Sequence, residues 1–284
     1  MIIIADSGST KTDWAFVAPN GDIVQRLNTP GINPFHQDDA AIKGILCDVA
    51  SSLESAGDGI SIFFYGAGCT PEQASRVRNL LLEFFTSASS IEVYSDMFGA
   101  ARAVCGRRMG VACILGTGAN SCLYDGERIV ANTPALGYVL GDEGSGAVLG
   151  RLFLNALYKG RLPQSLRETF ERETSLTMAD IIRRVYREPL ANRFLASLSP
   201  FISRHLDVEP LRELVIENFR QFFRNNVEQY KVHQLLLPPV SFVGSMAFCY
   251  SNELREAARI EEFTIGQIVK SPMDGLITYH YVQP

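Results

Sequence analysis

The chain has 284 residues, of which 46% are hydrophobic and 20% are charged, a balance typical of a soluble globular protein with room for two cored domains. A net charge of −5 without a basic block argues against a nucleic-acid partner, and no apolar run is long enough to span a membrane. No signal peptide precedes the first predicted strand and the six cysteines form no Cys-x-x-Cys pair, so we expect a cytoplasmic protein.

The first predicted element is a hairpin. Two apolar runs, Ile2–Ala5 and Trp14–Val17, flank a polar turn that carries Asp6, Gly8 and Lys11. Small residues let backbone N–H groups approach a ligand, and successive N–H groups of a turn form an anion-binding concavity. Asp6, at the end of its strand, can hold a hydrated Mg²⁺. An ordinary hairpin with a polar tip explains these residues equally well, and the P-loop spacing is absent.

The rest of the first half alternates between strands and helices. In chain order we predict a strand over 23–27, a helix over 38–56, a strand over 60–65, a helix over 71–86 with Thr70 as its N-cap, a strand over 91–94 and a helix over 97–104. A meander followed by strand–helix alternation predicts a mixed sheet with helices on its faces.

The second half begins with another hairpin of the same design. The apolar strand 111–115 runs into the small-residue turn Gly116-Thr117-Gly118 and then into a second strand. The later elements that we predict are a strand near 128–131, a helix over 144–159, a helical insertion over about 160–235, a strand over 239–243, a helix to Arg259, a strand over 263–269 and a last helix over 273–281. Two such hairpins suggest two similar half-domains facing one nucleotide.

These motifs resemble the acetate-and-sugar-kinase, heat-shock-70 and actin superfamily, and within it the N-acetylglucosamine kinase group. Asp6–Thr12 resembles the first phosphate motif, Gly116–Gly118 resembles the second, and Gly141–Gly146 (Gly-Asp-Glu-Gly-Ser-Gly) is the most family-specific match. The resemblance implies an α/β fold with two ribonuclease-H-like half-domains and mixed sheets around an interdomain cleft. The first would comprise 1–107 plus a C-terminal helix at about 271–284, and the second 108–270 with the insertion.

The resemblance also implies roles for individual residues. ATP would be bound by the two hairpin turns and a third turn, at Gly8, Ser9, Thr10, Lys11, Gly116, Thr117, Gly118, Gly244 and Ser245. Asp6 would hold Mg²⁺, and Asp96 would accept the proton of the attacking sugar hydroxyl. The sugar would contact Asn33, Asp96, Asn120, Gly137, Tyr138 and Asp142.

Each assignment has a plainer alternative. By pattern alone, Asp96 is more simply a helix N-cap, Asn33 a turn former before a proline, and Asp142 a charge that favours a helix N-terminus. Glu143 we interpret as structural. The chain also departs from the family pattern, since Leu136 replaces a tryptophan of the sugar pocket and serines stand at 7 and 9 where glycines are usual, so the resemblance leaves the identity of the sugar open.

The function that the resemblance implies is an ATP-dependent kinase for the 6-hydroxyl of an amino sugar, most simply N-acetylglucosamine, with glucosamine, N-acetylmuramic acid or another hexose as alternatives. The rival is an ATPase that activates a reductase or dehydratase, a dimer around an iron–sulfur cluster. Cys105, Cys113 and Cys122 lie near the expected domain junction, but Cys113 and Cys122 fall inside predicted strands and are better explained as core residues. A sugar-responsive regulator is less favoured because no basic helix stands out. The expected partners are ATP and a sugar, in a homodimer without nucleic acid or membrane.

Overall fold

Two five-stranded mixed sheets organise the chain. The computed structural model describes residues 1–8, 10–52, 59–233 and 236–281. It divides into unit 1, made of Met1–Arg108, Gly126–Arg128 and Pro272–Pro284, and unit 2, made of Met109–Asp125 and Ile129–Ser271. Each unit contains one of the sheets with helices packed on it, so the predicted α/β class with two mixed sheets is confirmed.

The bounds of the elements are as follows. The strands are β1 (Ile2–Ser7), β2 (Lys11–Val17), β3 (Ile23–Pro30), β4 (Ile60–Gly66), β5 (Ala88–Ser95), β6 (Gly110–Leu115), β7 (Ala119–Tyr124), β8 (Ile129–Asn132), β9 (Val240–Val243) and β10 (Ile265–Val269). The helices are α1 (Asp39–Ser51), α2 (Pro71–Phe84), α3 (Asp96–Cys105), α4 (Gly137–Leu140), α5 (Gly146–Tyr158), α6 (Gln164–Thr174), α7 (Met178–Tyr186), α8 (Ala191–Ala196), α9 (Ser199–Arg204), α10 (Glu209–Phe222), α11 (Ser245–Cys249), α12 (Ser251–Ile260) and α13 (Met273–Tyr281). None of the helices in the described part of the chain has the length and apolarity to cross a membrane.

The sheet of unit 1 has the strand order β3-β2-β1-β4-β5, with β1–β3 antiparallel as the meander predicts and β4 parallel to β1. Alternation along β1 gives it two buried faces. Ile3 packs with α1 and α2 on one face, and Ile4 packs with α13 on the other. The first four residues of β1, Ile2–Ala5, therefore form a continuous apolar run, and the strand ends in the polar residues Asp6 and Ser7.

Helix starts in unit 1 follow local capping chemistry. The predicted cap of α2 is confirmed, because the Thr70 hydroxyl accepts a hydrogen bond from the Gln73 N–H and Pro71 is the first helical residue. The predicted helix over 38–56 begins after its cap Asp38 and continues to Ser51, while residues 53–58 lie outside the described part of the chain.

Unit 2 has the strand order β10-β9-β6-β7-β8, and the predicted helical insertion corresponds to α6–α10, followed by a π-helical turn and a 3₁₀ helix. Phe153, Phe170 and Phe201 contact one another in its apolar core. The prediction of one continuous helix up to Arg259 is wrong. The chain breaks at Tyr250, whose buried hydroxyl donates to the Ser199 carbonyl at 2.8 Å, so α11 and α12 are separate.

Candidate functional site

The first hairpin turn of unit 1 is exposed and tightly closed. The Gly8 N–H donates to the Lys11 carbonyl at 3.0 Å, and both residues lie on the surface with Thr10. Lys11 Nζ contacts the Asp13 carboxylate at 2.7 Å with 65% of its side chain exposed, so this ion pair is weak and the ammonium can turn to another anion. Ser9, which we assigned to ATP, lies outside the described residues.

Carboxylates cluster where β1 ends and β2 begins. Asp6 and Asp13 lie directly opposite each other in the antiparallel pair, so both side chains project from the same face of the sheet. Burial raises the pKa of Asp6 to about 7, Asp13 and Asp96 add to this increase, and Lys11 opposes it. Sequence reasoning missed Asp13, although its position in the alternation of β2 was the available signal.

The carboxylates of this cluster suit a magnesium ion whose remaining ligands are water and substrate phosphates. No group of three or more histidine, cysteine, aspartate or glutamate side chains within the described ranges is arranged to hold a metal by itself. Mg²⁺ commonly keeps several waters and uses one or two carboxylates plus substrate phosphates. Because burial, and after it the charges of Asp13 and Asp96, raise the pKa of Asp6, a cation would favour its ionised form. Asp6 is therefore a suitable carboxylate for such an ion.

Asp96 is the first residue of α3, immediately after β5. The alternative interpretation of Asp96 as the helix N-cap is wrong, because Ser95 has the extended backbone of a cap and its Oγ accepts from the Phe98 N–H. Asp96 Oδ1 accepts instead from the Met97 N–H at 2.8 Å. Burial raises the pKa of Asp96, and backbone hydrogen bonds oppose that increase. A half-buried carboxylate with increased proton affinity is suited to accept a proton.

A cavity of about 400 Å³ lies at the ends of β4 and β5 in unit 1, where Gly68, Ser95 and Phe98 line it. Asp96 directly follows the lining residue Ser95. Asn33, our candidate sugar contact, lies against the lining residue Gly68 and is 9% exposed. Both candidate residues therefore adjoin residues that line this cavity.

The second hairpin turn, in unit 2, is held by a helix N-terminus. The carbonyls of Gly116 and Thr117 accept hydrogen bonds from the Gly146 and Ala147 N–H groups at the start of α5, at 2.8 and 3.1 Å. The second phosphate motif and the Gly-Asp-Glu-Gly-Ser-Gly motif therefore form one hydrogen-bonded structure. The space around Gly116 is free of other protein atoms, because a Cβ added there would meet no atom within 4 Å.

Asp142 is anchored to this second turn. Its carboxylate accepts a hydrogen bond from the Ala119 N–H and lies against Gly118, where an added Cβ would be 3.1 Å from Oδ2. Burial raises the pKa of Asp142 to about 6, the Ala119 bond opposes this, and Glu143 adds to it. Its backbone has a φ of 56°, which is unfavourable outside glycine and is common at ligand sites.

The other sugar candidates of unit 2 surround the same motif. Asn120 Oδ1 accepts from Asn132 Nδ2 at 2.9 Å, which orients the amide. Tyr138 packs against the core of unit 2, next to Gly137, whereas Leu136 is 65% exposed. The short helix α4 that contains Gly137 and Tyr138 was not predicted, since four residues give no periodic signal.

Two further features of unit 2 support the candidate ATP turns. A Cβ added to Gly244 would overlap the Leu115 carbonyl oxygen, and its φ of 123° also requires glycine, while Ser245 is exposed at the start of α11.

Sequence reasoning missed Asn218, whose buried Oδ1 accepts from the Gly144 N–H at 3.0 Å. Glu143 accepts hydrogen bonds from two asparagines that follow α10, consistent with a structural role.

The cysteines considered for an iron–sulfur cluster occupy core positions. Cys113 and Cys122 are fully buried on the neighbouring strands β6 and β7. Since Cys122 is paired with Ala112, the two thiols project from opposite faces of the sheet. This placement favours their interpretation as small apolar residues.

Comparisons with solved structures give similar proteins over the full chain. A candidate N-acetylglucosamine kinase from Porphyromonas gingivalis is 48% identical, with 99% of each chain covered and a TM-score of 0.91. A second candidate N-acetylglucosamine kinase, from Chromobacterium violaceum, is 19% identical with 98% of each chain covered and a TM-score of 0.71. A ROK-family glucokinase from Streptomyces griseus, in complex with glucose and AMPPNP, is 12% identical, with 98% of this chain and 97% of that chain covered and a TM-score of 0.51. The last two likenesses show the fold alone. No protein-family model and no curated protein matches the chain.

Proposed function

Since the chain belongs to the N-acetylglucosamine kinase family of the acetate and sugar kinase, heat-shock-70 and actin superfamily, we propose that it transfers the γ-phosphoryl group of ATP to the 6-hydroxyl of an amino sugar. The coarser conclusion is that the protein is a sugar kinase. The observation that carries the finer proposal is the 48% identity over 99% of the chain, together with the phosphate motifs at both hairpins. N-acetylglucosamine is the first candidate, and glucosamine and N-acetylmuramic acid follow.

In the proposed reaction, Asp96 is the general base. Its carboxylate accepts the proton of the 6-hydroxyl while that oxygen forms a bond to the γ-phosphorus and the bond to the ADP oxygen breaks. The increased proton affinity that burial gives Asp96 suits this step. The hydrogen bond from the Met97 N–H keeps the carboxylate in one orientation.

The phosphates of ATP would be contacted in unit 1 by Gly8, Ser9, Thr10 and Lys11, and in unit 2 by Gly116, Thr117 and Gly118, with Gly244 and Ser245 near the adenosine. Exposed hydroxyl, ammonium and backbone groups at these turns support the assignment. Asp6 would hold Mg²⁺. When bound, Mg²⁺ neutralises charge on the transferred phosphates.

The sugar would be recognised in unit 1 by Asn33 and Asp96, and in unit 2 by Asn120, Asp142 and the segment of Gly137 and Tyr138. Amide and carboxylate groups can together accept from and donate to ring hydroxyls. Asp142 and Asn120 are both held by hydrogen bonds, and such fixed groups recognise a ligand at a lower entropic cost. Leu136 replaces the family tryptophan, so the sugar must be identified by experiment.

A coupled assay of ADP release across a panel of hexoses and amino sugars tests the proposal. We expect turnover that depends on an amino sugar. ³¹P–¹H NMR of the product should show that the phosphoryl group is on the 6-position. ATP hydrolysis that no sugar stimulates would contradict the kinase assignment. An anaerobically purified brown protein that loses iron in Cys105→Ala or Cys122→Ala would support the activator ATPase instead.

We also propose a cytoplasmic homodimer. Sedimentation of the pure protein tests the oligomeric state, and cell fractionation tests the location.

A further inference from the structure

Ser7, which stands where the family usually has glycine, makes hydrogen bonds that a glycine cannot make. Its side chain is fully buried at the end of β1, and its Oγ lies 2.7 Å from the equally buried Thr12 Oγ1. Ser7 Oγ donates to the Ile32 carbonyl at 2.9 Å and accepts from the Ile32 N–H at 2.9 Å. The Ile32 N–H is shared with Thr12 Oγ1 at 3.2 Å, and Thr12, which has one proton, donates it either to Ser7 or to the Pro30 carbonyl at 3.2 Å. Both polar groups of the Ile32 backbone are thus fixed to the first hairpin.

Ile32 directly precedes Asn33, so the same contacts fix the start of the Asn33 turn. The Asn33 N–H donates to Gln37 Oε1 at 2.7 Å, and Gln37 Nε2 donates back to the Gly31 carbonyl at 3.0 Å. Asn33 Oδ1 accepts from the Phe35 N–H at 3.0 Å. With its main chain and its amide oxygen both held, Asn33 has little freedom to change its orientation.

Gly68 constrains the same side chain from the turn that follows β4. A Cβ added to Gly68 would overlap Asn33 Oδ1, and the φ of 76° at Gly68 also disfavours other residues. Gly68 lines the cavity at the ends of β4 and β5 and also lies against the Asn33 amide. Ser7 and Gly68 therefore act on Asn33 through different contacts and from different segments of unit 1.

We propose that Ser7 is a positioning residue for sugar recognition, which orients Asn33 through the Ile32 backbone, and that Gly68 leaves the space that this orientation needs. The inference rests on the proposed role of Asn33 in binding the sugar. Ser7 does not touch the substrate. It acts through the hydrogen bonds of its hydroxyl, which a glycine at this position would lack.

The test compares Ser7→Ala with Ser89→Ala as a control. Ser89 Oγ also donates to a backbone carbonyl, that of Ile60 at 3.0 Å, at the opposite end of the same sheet, but Ser89 is exposed whereas Ser7 is buried. We expect Ser7→Ala to raise the KM for N-acetylglucosamine, or for the panel sugar that the wild type phosphorylates fastest, by about 5- to 30-fold. The KM for ATP should change no more than in Ser89→Ala, whereas the melting temperature should fall further because the lost hydroxyl is buried. Ser7→Thr, which keeps the hydroxyl, should restore most of the sugar affinity.

Direct binding separates this inference from the proposed function. Calorimetric titration with the same sugar should show the loss in Ser7→Ala and in Gly68→Ala without turnover. If the wild type phosphorylates and binds none of the sugars, the proposed function fails. If the wild type is active but Ser7→Ala matches Ser89→Ala, or loses sugar and ATP affinity equally as its melting temperature falls, the positioning role is wrong. Should Gly68→Ala fail to fold, the Ser7 variants decide alone.

Discussion

The two small-residue turns look alike in sequence, but their surroundings hold them differently. The turn in unit 1 is closed by its own backbone, and buried side-chain hydroxyls at Ser7 and Thr12 tie the adjoining strands to the next loop. The turn in unit 2 is held by main-chain N–H groups at the start of α5, without side-chain donors in those two bonds. The same local device is therefore held by buried hydroxyls in unit 1, and by a helix N-terminus together with the Asp142 carboxylate in unit 2. Substitutions should consequently have different effects in the two units.

The largest expected effect distinguishes the two aspartates that we propose contact the sugar. Asp96→Asn should lower kcat by about 10²- to 10⁴-fold, or about 3 to 5 kcal/mol of barrier, because the amide cannot accept the proton. Ser95 remains to cap α3, so the melting temperature should change little. Asp142→Asn is the comparison in unit 2, and there we expect a higher KM for the sugar with a smaller loss of kcat. Steady-state kinetics with N-acetylglucosamine measures both variants, and near-normal turnover by Asp96→Asn would place the base elsewhere.

Backbone geometry in unit 2 should be the next most sensitive feature. Gly244→Ala should destabilise the protein by about 2 to 4 kcal/mol, since the new Cβ would overlap the Leu115 carbonyl and the left-handed φ is strained. Gly116→Ala is the control, because its Cβ would meet no atom within 4 Å. Urea unfolding measures both free energies. Equal stability of the two variants would show that the contact with Leu115 relaxes without cost.

Substitution of the proposed nucleotide contacts in the two turns should have a smaller effect, limited to the binding of Mg·ATP. Thr117→Val should weaken Mg·ATP binding by about 1.5 to 3 kcal/mol, because a hydroxyl bond to a charged phosphate is lost while the backbone bonds of the turn remain. Thr10→Val should have a similar effect through the turn of unit 1. The rise in melting temperature on adding Mg·ATP reports both losses by linkage. Thr278→Val, which removes an exposed hydroxyl on α13, should leave that rise unchanged.

The smallest expected effect is the pH dependence that His280, in unit 1, gives to the free energy of unfolding. Burial and the nearby charges of Arg102 and Arg107 lower the pKa of His280 to about 4, against 6.5 for the free side chain. Between these values the unfolded chain binds the proton and the folded chain does not, so stability falls as the pH is lowered from 6.5 towards 4. Because the ring is half-buried, we expect a loss of only about 1 kcal/mol between pH 7 and pH 5.

Urea unfolding at the two pH values measures the effect of His280. His280→Gln cannot titrate and can still bond the Tyr65 hydroxyl, which His280 Nε2 contacts at 2.9 Å. The variant should show a weaker pH dependence than the wild type. An unchanged pH dependence in His280→Gln would assign the titration to another group.

Local chemistry in the sequence determined much of this protein. Apolar runs predicted the strands of both hairpins, Thr70 and Pro71 predicted the start of α2, and the residues of each glycine-rich motif carried the resemblance to the family. These features depend on residues within a few positions of one another, which is the range over which turns, caps and periodicity act.

Only the tertiary structure decided which distant groups meet. It paired Asp13 with Asp6 across two strands, linked Ser7 to the Ile32 backbone, and placed Asn218 on the Gly144 N–H. It also divided the helix predicted to reach Arg259, because the Tyr250 hydroxyl bonds to Ser199, 51 residues earlier in the chain. Such contacts depend on strand register and side-chain packing between remote segments, and no local pattern specifies them.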